Sequence, residues 1–195
     1  MDSTVITETK ITKNTLLSDL KQLTKMGLSL SVVFSSVAGY FLAVDVIHYP
    51  TVFLLALGGY FMVGASNAFN QVIEKEPDAL MKRTKNRPLP TGRMTVNVAM
   101  TIAILFTLSG IAILYSINPK TALFGAISIF LYTSVYTPLK PVTPLSVFVG
   151  VIPGAIPFML GWVAATNHFG IEAGMLFMIQ FFWQFPHFWA IGWLQ

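Results

Sequence analysis

The chain has 195 residues, 54% of them hydrophobic and 10% charged, where an average soluble domain carries about 25% charged residues. With a mean hydropathy of +0.68, this excludes an ordinary water-soluble globule and predicts a polytopic membrane protein. The absence of cysteine excludes disulfides and thiolate metal sites, and the formal charge of +4 raises nucleic acid or anionic lipid as partners.

Residues 1–25 are polar and carry Lys10, Lys13, Lys21 and Lys25. They lack the apolar core of a cleavable signal peptide and read as a short cytoplasmic lead-in. Six apolar segments follow, at about 26–47, 51–73, 94–117, 121–138, 144–165 and 172–195. Each is near the roughly 20 residues a helix needs to cross the hydrocarbon core. The fourth is the weakest, because Pro138, Pro141 and Pro144 crowd its end. The runs are far longer than the roughly 10-residue alternating strands of a membrane barrel. The expected architecture is all-α, a membrane helix bundle occupying 26–195.

Eleven of the twelve basic residues fall before the first segment, between the second and third, or between the fourth and fifth. Only Lys120 falls on the other side. The positive-inside rule then puts the N-terminus and loops 74–93 and 139–143 in the cytoplasm. Asp45, His48, Asn118, His168 and Glu172 mark the outside loops. The basic balance therefore reports topology and argues against a nucleic-acid partner. The last segment reaches Gln195 without a polar flank, so a longer natural protein is expected.

The chemistry concentrates at the end of the second segment. Asn67, Asn70, Glu74 and Asp78 are spaced three, four and four apart, which places them within roughly 80° of one another on a helix. Pro77 removes a backbone donor and disfavours helix at Glu76, so Asp78 is expected just past a kink or in a new short helix. One reading is a hydrated helix end. The other is an oxygen-ligand site for a hard cation such as Mg²⁺, which keeps waters and bridges to phosphates. The basic run Lys82, Arg83, Lys85 and Arg87 would then meet phosphate oxygens.

These residues resemble the first aspartate-rich motif of the membrane-embedded prenyltransferases of the UbiA superfamily. The family pattern is Asn-Asp-x-x-Asp-x-x-x-Asp, followed by a Lys-Arg-Thr-x-Asn-Arg-Pro-Leu-Pro-x-Gly run. Here the first part reads Asn70-Gln71-x-x-Glu74-x-x-x-Asp78, and the run from Lys82 to Gly92 matches throughout. Gln71 and Glu74 stand where the pattern has aspartates. Within the superfamily, Tyr136–Asn167 and "WQFPHFWAIGW" (Trp183–Trp193) resemble the protoheme IX farnesyltransferases, or haem O synthases. The resemblance covers about residue 20 to the end. It implies six helices of a nine-helix fold in the cell (inner) membrane, with about the last third, including a second acidic motif, absent.

The resemblance further implies transfer of a farnesyl group from farnesyl diphosphate to a vinyl group of haem b, giving haem O with release of diphosphate. A downstream haem A synthase or terminal oxidase assembly would receive the product. Asn70, Glu74 and Asp78 become the Mg²⁺ ligands. Lys82, Arg83, Lys85 and Arg87 become diphosphate contacts, and Tyr136 and Lys140 join them through a Tyr-x-x-x-Lys pattern. His187 is the candidate haem ligand, since a histidine within a membrane segment is a functional candidate and a common axial ligand of haem iron. His48 and His168 are expected to be solvated. The glycines of "VGVIPGAIPFMLGW" are expected to allow close helix packing, and Pro153 and Pro157 to kink their helix. Other readings stay open: a quinone precursor or other aromatic ring as acceptor, a six-helix transporter subunit, or an inactive fragment.

Overall fold

A computed structural model describes residues 16–193, with side chains to residue 190. Lys10, Lys13 and Gln195, and the side chain of Trp193, lie outside the described residues. The elements in order are α1 (Leu16–Leu23), α2 (Met26–Phe41), α3 (Tyr49–Ile73), α4 (Lys75–Leu80), α5 (Val96–Ile117), α6 (Pro119–Phe130), a π-helical turn (Leu131–Tyr136), α7 (Thr137–Leu139), α8 (Ser146–Thr166) and α9 (Ile171–Trp193). No strand occurs among the described residues. α6, the π turn and α7 run on as one span, Pro119–Leu139.

Each expected segment contains a helix, and five of the six agree to within about two residues. The first does not. The expected span 26–47 is helical only over Met26–Phe41, about 24 Å at 1.5 Å per residue. Residues 42–48 form the turn to α3 instead. Hydropathy alone could not separate an apolar turn from an apolar helix. Tyr49–Ile73, Val96–Ile117, Pro119–Leu139 and Ser146–Thr166 are each long and apolar enough to cross a membrane. α9 is as long, but it carries Glu172, Gln180, Gln184 and His187.

The break expected near Pro77 falls three residues earlier. Glu74, with φ −92° and ψ 14°, ends α3 and starts α4. A proline ring collides with the carbonyl four residues before it, here that of Ile73, so the chain bends where α3 would otherwise continue. Pro77 then sits in the first turn of α4. Asp78 lies in that new short helix, as the sequence allowed.

α3 packs chiefly on α5, α2 on α8, and α8 on α9. Glycines set the close approaches. A methyl on Gly161 of α8 would strike the Ser36 carbonyl and the Tyr40 amide of α2. One on Gly39 would strike the Phe158 carbonyl in return. Small residues at helix crossings are what association in lipid relies on. Pro153 and Pro157 lie inside α8, which stays helical from end to end. Pro157 cannot donate to the Pro153 carbonyl. The Ser128 hydroxyl of α6 donates to it instead, at 3.3 Å.

At the end of the bundle opposite the long loop, Asn118 joins three elements. Its Oδ1 accepts from the Thr121 amide (2.8 Å) and hydroxyl (2.9 Å). Its Nδ2 donates to the carbonyls of Val163 (3.1 Å) and Ala164 (3.3 Å). At the loop end, Leu89 is buried with Leu23, Ala68, Met94, Ala99 and Ala103. Arg93 ties the loop back to α1 through Asp19, at 2.9 Å.

Candidate functional site

The polar face of α3 divides between two tasks. Asn67 and Gln71 turn toward the α1–α2 connection. Asn67 Nδ2 donates to the Thr24 carbonyl (3.2 Å) and to Ser29 Oγ (3.3 Å). Gln71 Nε2 donates to the carbonyls of Gln22 and Leu23, both at 2.9 Å. These are carbonyls at the end of α1, where a helix has no intrahelical donors left. Asn67 therefore does not share the role of Asn70, Glu74 and Asp78, although the helical period puts all four on one face.

The residue delivered by that connection is Lys25. It adopts left-handed backbone angles, φ 46° and ψ 57°, which cost a side-chain-bearing residue of order 1 kcal/mol or more. Its Nζ donates to Asn70 Oδ1 at 3.4 Å. Burial pushes its ammonium down to about 8; Arg87 adds to this and Glu74 opposes it. A cation held out of water beside two others binds an incoming anion strongly, because the anion relieves both penalties. The sequence had counted Lys25 only as a topological charge. Its position directly against the first span was the available signal.

Glu74 Oε1 accepts from Lys140 at 3.1 Å. Asp78 is fully buried. Its Oδ2 pairs with Arg87, and its carbonyl accepts from the Thr84 hydroxyl at 2.8 Å. Its other carboxylate oxygen, Oδ1, is buried with no partner among the described residues. Such an oxygen is costly to leave unpaired. Gln71 Oε1 is the other such atom. No three His, Cys, Asp or Glu side chains converge among the described residues, so the oxygen set here is an amide and two carboxylates.

Of the four basic candidates, the fold brings only Arg87 into this cluster. Lys82, Arg83 and Lys85 are exposed on the loop, with no side-chain hydrogen bond or ion pair among the described residues. Tyr136 and Lys140 do come to the site. Tyr136 stands 5.3 Å from Tyr132, ring to ring, and Gly150 leaves it room: a methyl there would sit 2.7 Å from the Tyr136 ring. Tyr132, four residues earlier and so on the same helical face, was missed.

Below the cluster lies a cavity of about 760 Å³ between α2, α3, α6, α8 and α9. Tyr132, Tyr136 and Asn67 line its polar end, and Gly59, Leu114 and Gly125 its deep end. On α9, Gln180, Gln184 and His187 also face it. That row, spaced four and three apart, was legible as polar groups in an apolar segment, but only His187 was singled out. The His187 ring stacks on Trp183 at 5.2 Å and 18°. Gln184 occupies the space left by Gly154, where a methyl would collide with its amide. Trp162 packs against the core, and Trp189 is exposed. His48 bonds Thr51 at 2.7 Å at an exposed helix start, and His168 lies in an exposed turn. Both are remote from the cavity.

Known proteins resemble the chain in sequence and in fold. Over 178 residues the chain is 74% identical to the protoheme IX farnesyltransferase of Christiangramia forsetii, covering 91% of this chain and 59% of that protein. The Flavobacterium psychrophilum protein of the same name is 70% identical, with coverages of 90% and 60%. The mitochondrial human one is 40% identical, with coverages of 89% and 40%. The chain thus spans about three-fifths of the bacterial relatives' length. In fold it matches a digeranylgeranylglyceryl phosphate synthase with a TM-score of 0.77 at 19% identity, covering 85% of this chain and 58% of that one. It also matches a UbiA homologue from Archaeoglobus fulgidus, solved with GPP and Mg²⁺, with a TM-score of 0.69 at 20% identity and coverages of 87% and 62%. The UbiA prenyltransferase family profile matches residues 32–195, a range that takes in α3, the acid and amide row, the basic loop and the cavity helices. This multi-pass membrane chain belongs to the UbiA prenyltransferase family.

Proposed function

We propose that the chain forms the prenyl-diphosphate site and part of the acceptor cavity of a haem b farnesyltransferase. The protein joins farnesyl diphosphate to a vinyl group of haem b and releases diphosphate, giving haem O. The carrying observation is that Asn70, Asp78 and Glu74 pair with Lys25, Arg87 and Lys140, while Tyr132 and Tyr136 beside them line a largely apolar cavity. That is the shape of a substrate with a charged head and a greasy tail.

The allylic C–O bond breaks and its electron pair leaves with diphosphate. The vinyl π pair forms the new C–C bond to the first farnesyl carbon. Water adds its oxygen to the vinyl carbon next to the ring and gives up a proton. Lys25, Arg87 and Lys140 hold the leaving diphosphate electrostatically, and such preorganised charge is worth most where water is excluded. Tyr132 and Tyr136 present ring faces near the site of positive-charge development, the geometry of a cation–π contact.

The oxygen set fits a hard cation: it contains no sulfur or imidazole, and Asp78 Oδ1 is buried without a partner. Asn70, Glu74 and Asp78 would hold Mg²⁺, which when bound acts as a Lewis acid on the diphosphate oxygens. His187 offers an imidazole nitrogen to haem iron from the α9 wall, braced by Trp183. The basic ends of the spans support an orientation with the diphosphate site on the cytoplasmic face of the inner membrane. The test is Mg²⁺-dependent farnesylation of haem in membranes carrying the protein at the length of its relatives, with Asp78→Ala as control. Transfer of labelled farnesyl to 4-hydroxybenzoate but not to haem would point to the aromatic acceptor. Solute flux in liposomes that survives loss of Glu74 and Asp78 would point to transport.

A further inference from the structure

The deep end of the cavity is closed by a side chain that cannot easily move. Leu114 of α5 lines that end and is fully buried. It is wedged between glycines of two other helices. A methyl on Gly58 of α3 would stand 2.8 Å from Leu114 Cδ2, and one on Gly125 of α6 would stand 2.8 Å from Leu114 Cδ1. Met62 backs it. A methyl on Gly110 would meet the Met62 sulfur at 2.7 Å, and the Met62 methyl lies 3.8 Å from the same point above Gly125. Three helices thus use three glycines to hold one leucine and one methionine across the end of the cavity.

The depth is definite as well. Gly59, at the deep end, lies eleven residues before Asn70 at the charged rim, about 16 Å along α3 at 1.5 Å per residue. An extended chain of three isoprene units has a length of that order, and a fourth unit would run into Leu114.

We propose that Leu114, backed by Met62, is the floor that sets the length of the prenyl chain accepted. The inference rests on the prenyl-transfer reading above and adds a residue that measures the tail. Because the floor is held by glycines, it can be moved in both directions. Leu114→Ala removes three carbons and deepens the cavity. Gly125→Ala pushes the end of the Leu114 side chain into the cavity, its open side, and makes the cavity shallower.

The experiment gives mixtures of geranyl, farnesyl and geranylgeranyl diphosphate to membranes carrying the protein at its relatives' length, and reads product ratios. The same three are titrated against the fluorescence of purified protein, with Trp183 lining the cavity as reporter. The wild type should prefer farnesyl over geranylgeranyl by roughly tenfold or more, and Leu114→Ala should shrink that ratio by about tenfold, as expected for a few apolar carbons gained or lost from contact. Gly125→Ala should shift preference toward geranyl. Farnesyl transfer with length ratios unchanged in both variants overturns the floor and leaves the proposed function standing. Shifted binding ratios without any transfer do the reverse. If Leu114→Ala does not accumulate, the smaller Leu114→Val and Gly125→Ala decide the matter alone.

Discussion

The loop end and the opposite end of the bundle are built on different principles. At the loop end, ion pairs and charged hydrogen bonds stand beside the neutral bonds of Asn67 and Gln71: Arg87 with Asp78, Lys140 with Glu74, Arg93 with Asp19, and Lys25 with Asn70. At the opposite end, Asn118 satisfies backbone groups of α6 and α8, and nearer the middle α2 and α8 touch through Gly39 and Gly161. Buried charge is a poor way to stabilise a fold, because desolvation cancels most of the attraction. Its concentration at one end is what the proposed binding of a diphosphate there would account for. At the opposite end the charged contact, Lys120 to the Asn167 carbonyl at 2.8 Å, is exposed, and the buried polar contacts are neutral.

Seven substitutions test this contrast, beginning with the largest effect. Asp78→Ala should lower prenyl transfer by about 10² to 10³-fold, the scale of losing one preorganised electrostatic group, while the helical circular dichroism stays intact. Arg87→Gln should cost about 3 kcal/mol of stability, because it strands the buried Asp78 carboxylate, and should weaken diphosphate binding too. A thermal unfolding midpoint and a binding titration read the two effects separately. Gly161→Ala should do the opposite at the packing crossing. Forcing α2 and α8 apart should cost about 1–3 kcal/mol in thermal stability, with diphosphate affinity changing far less than in Arg87→Gln.

Gln71→Asp sharpens the comparison, since the family pattern carries an aspartate there. In this fold the side chain donates to two helix-end carbonyls, and a carboxylate cannot donate. The substitution should therefore destabilise by about 1–3 kcal/mol without raising Mg²⁺ affinity. Improved Mg²⁺-dependent turnover would sink this account of Gln71. The smallest effect is expected from Lys82→Ala, Arg83→Ala and Lys85→Ala. Each should change the apparent substrate affinity by less than about tenfold, with any effect fading at high salt.

How far the proposed site was legible in the sequence differs by residue. Asn70, Glu74 and Asp78 lie on one stretch whose helical spacing suggested a common face, although the break at Glu74 puts Asn70 on α3 and Asp78 on α4. Arg87 follows nine residues after Asp78 and pairs with it across a short loop. The break at Glu74 was one turn off, because Pro77 acts on the carbonyl behind it. The place of Lys25 beside Asn70 was not legible, because it depends on a left-handed turn next to the Asn67 and Gln71 side chains, and no local pattern announces that. The three exposed loop cations look like Arg87 in sequence; the way Leu89 and Thr84 anchor the loop separates them.

By itself the sequence determined that this is a membrane helix bundle, roughly where its spans run, and which acids and amides share a face. Those properties arise from hydropathy and from a 3.6-residue period, both local. The tertiary structure decided which cations meet those acids, what Gln71 does, and where the cavity stops. Apart from Arg87 and Asp78, nine positions apart, those depend on distances between residues 45 or more positions apart, such as Lys25 and Asn70, Glu74 and Lys140, or Gly58 and Leu114. Such distances are set by how closely glycines let the helices approach, which only the assembled bundle reveals.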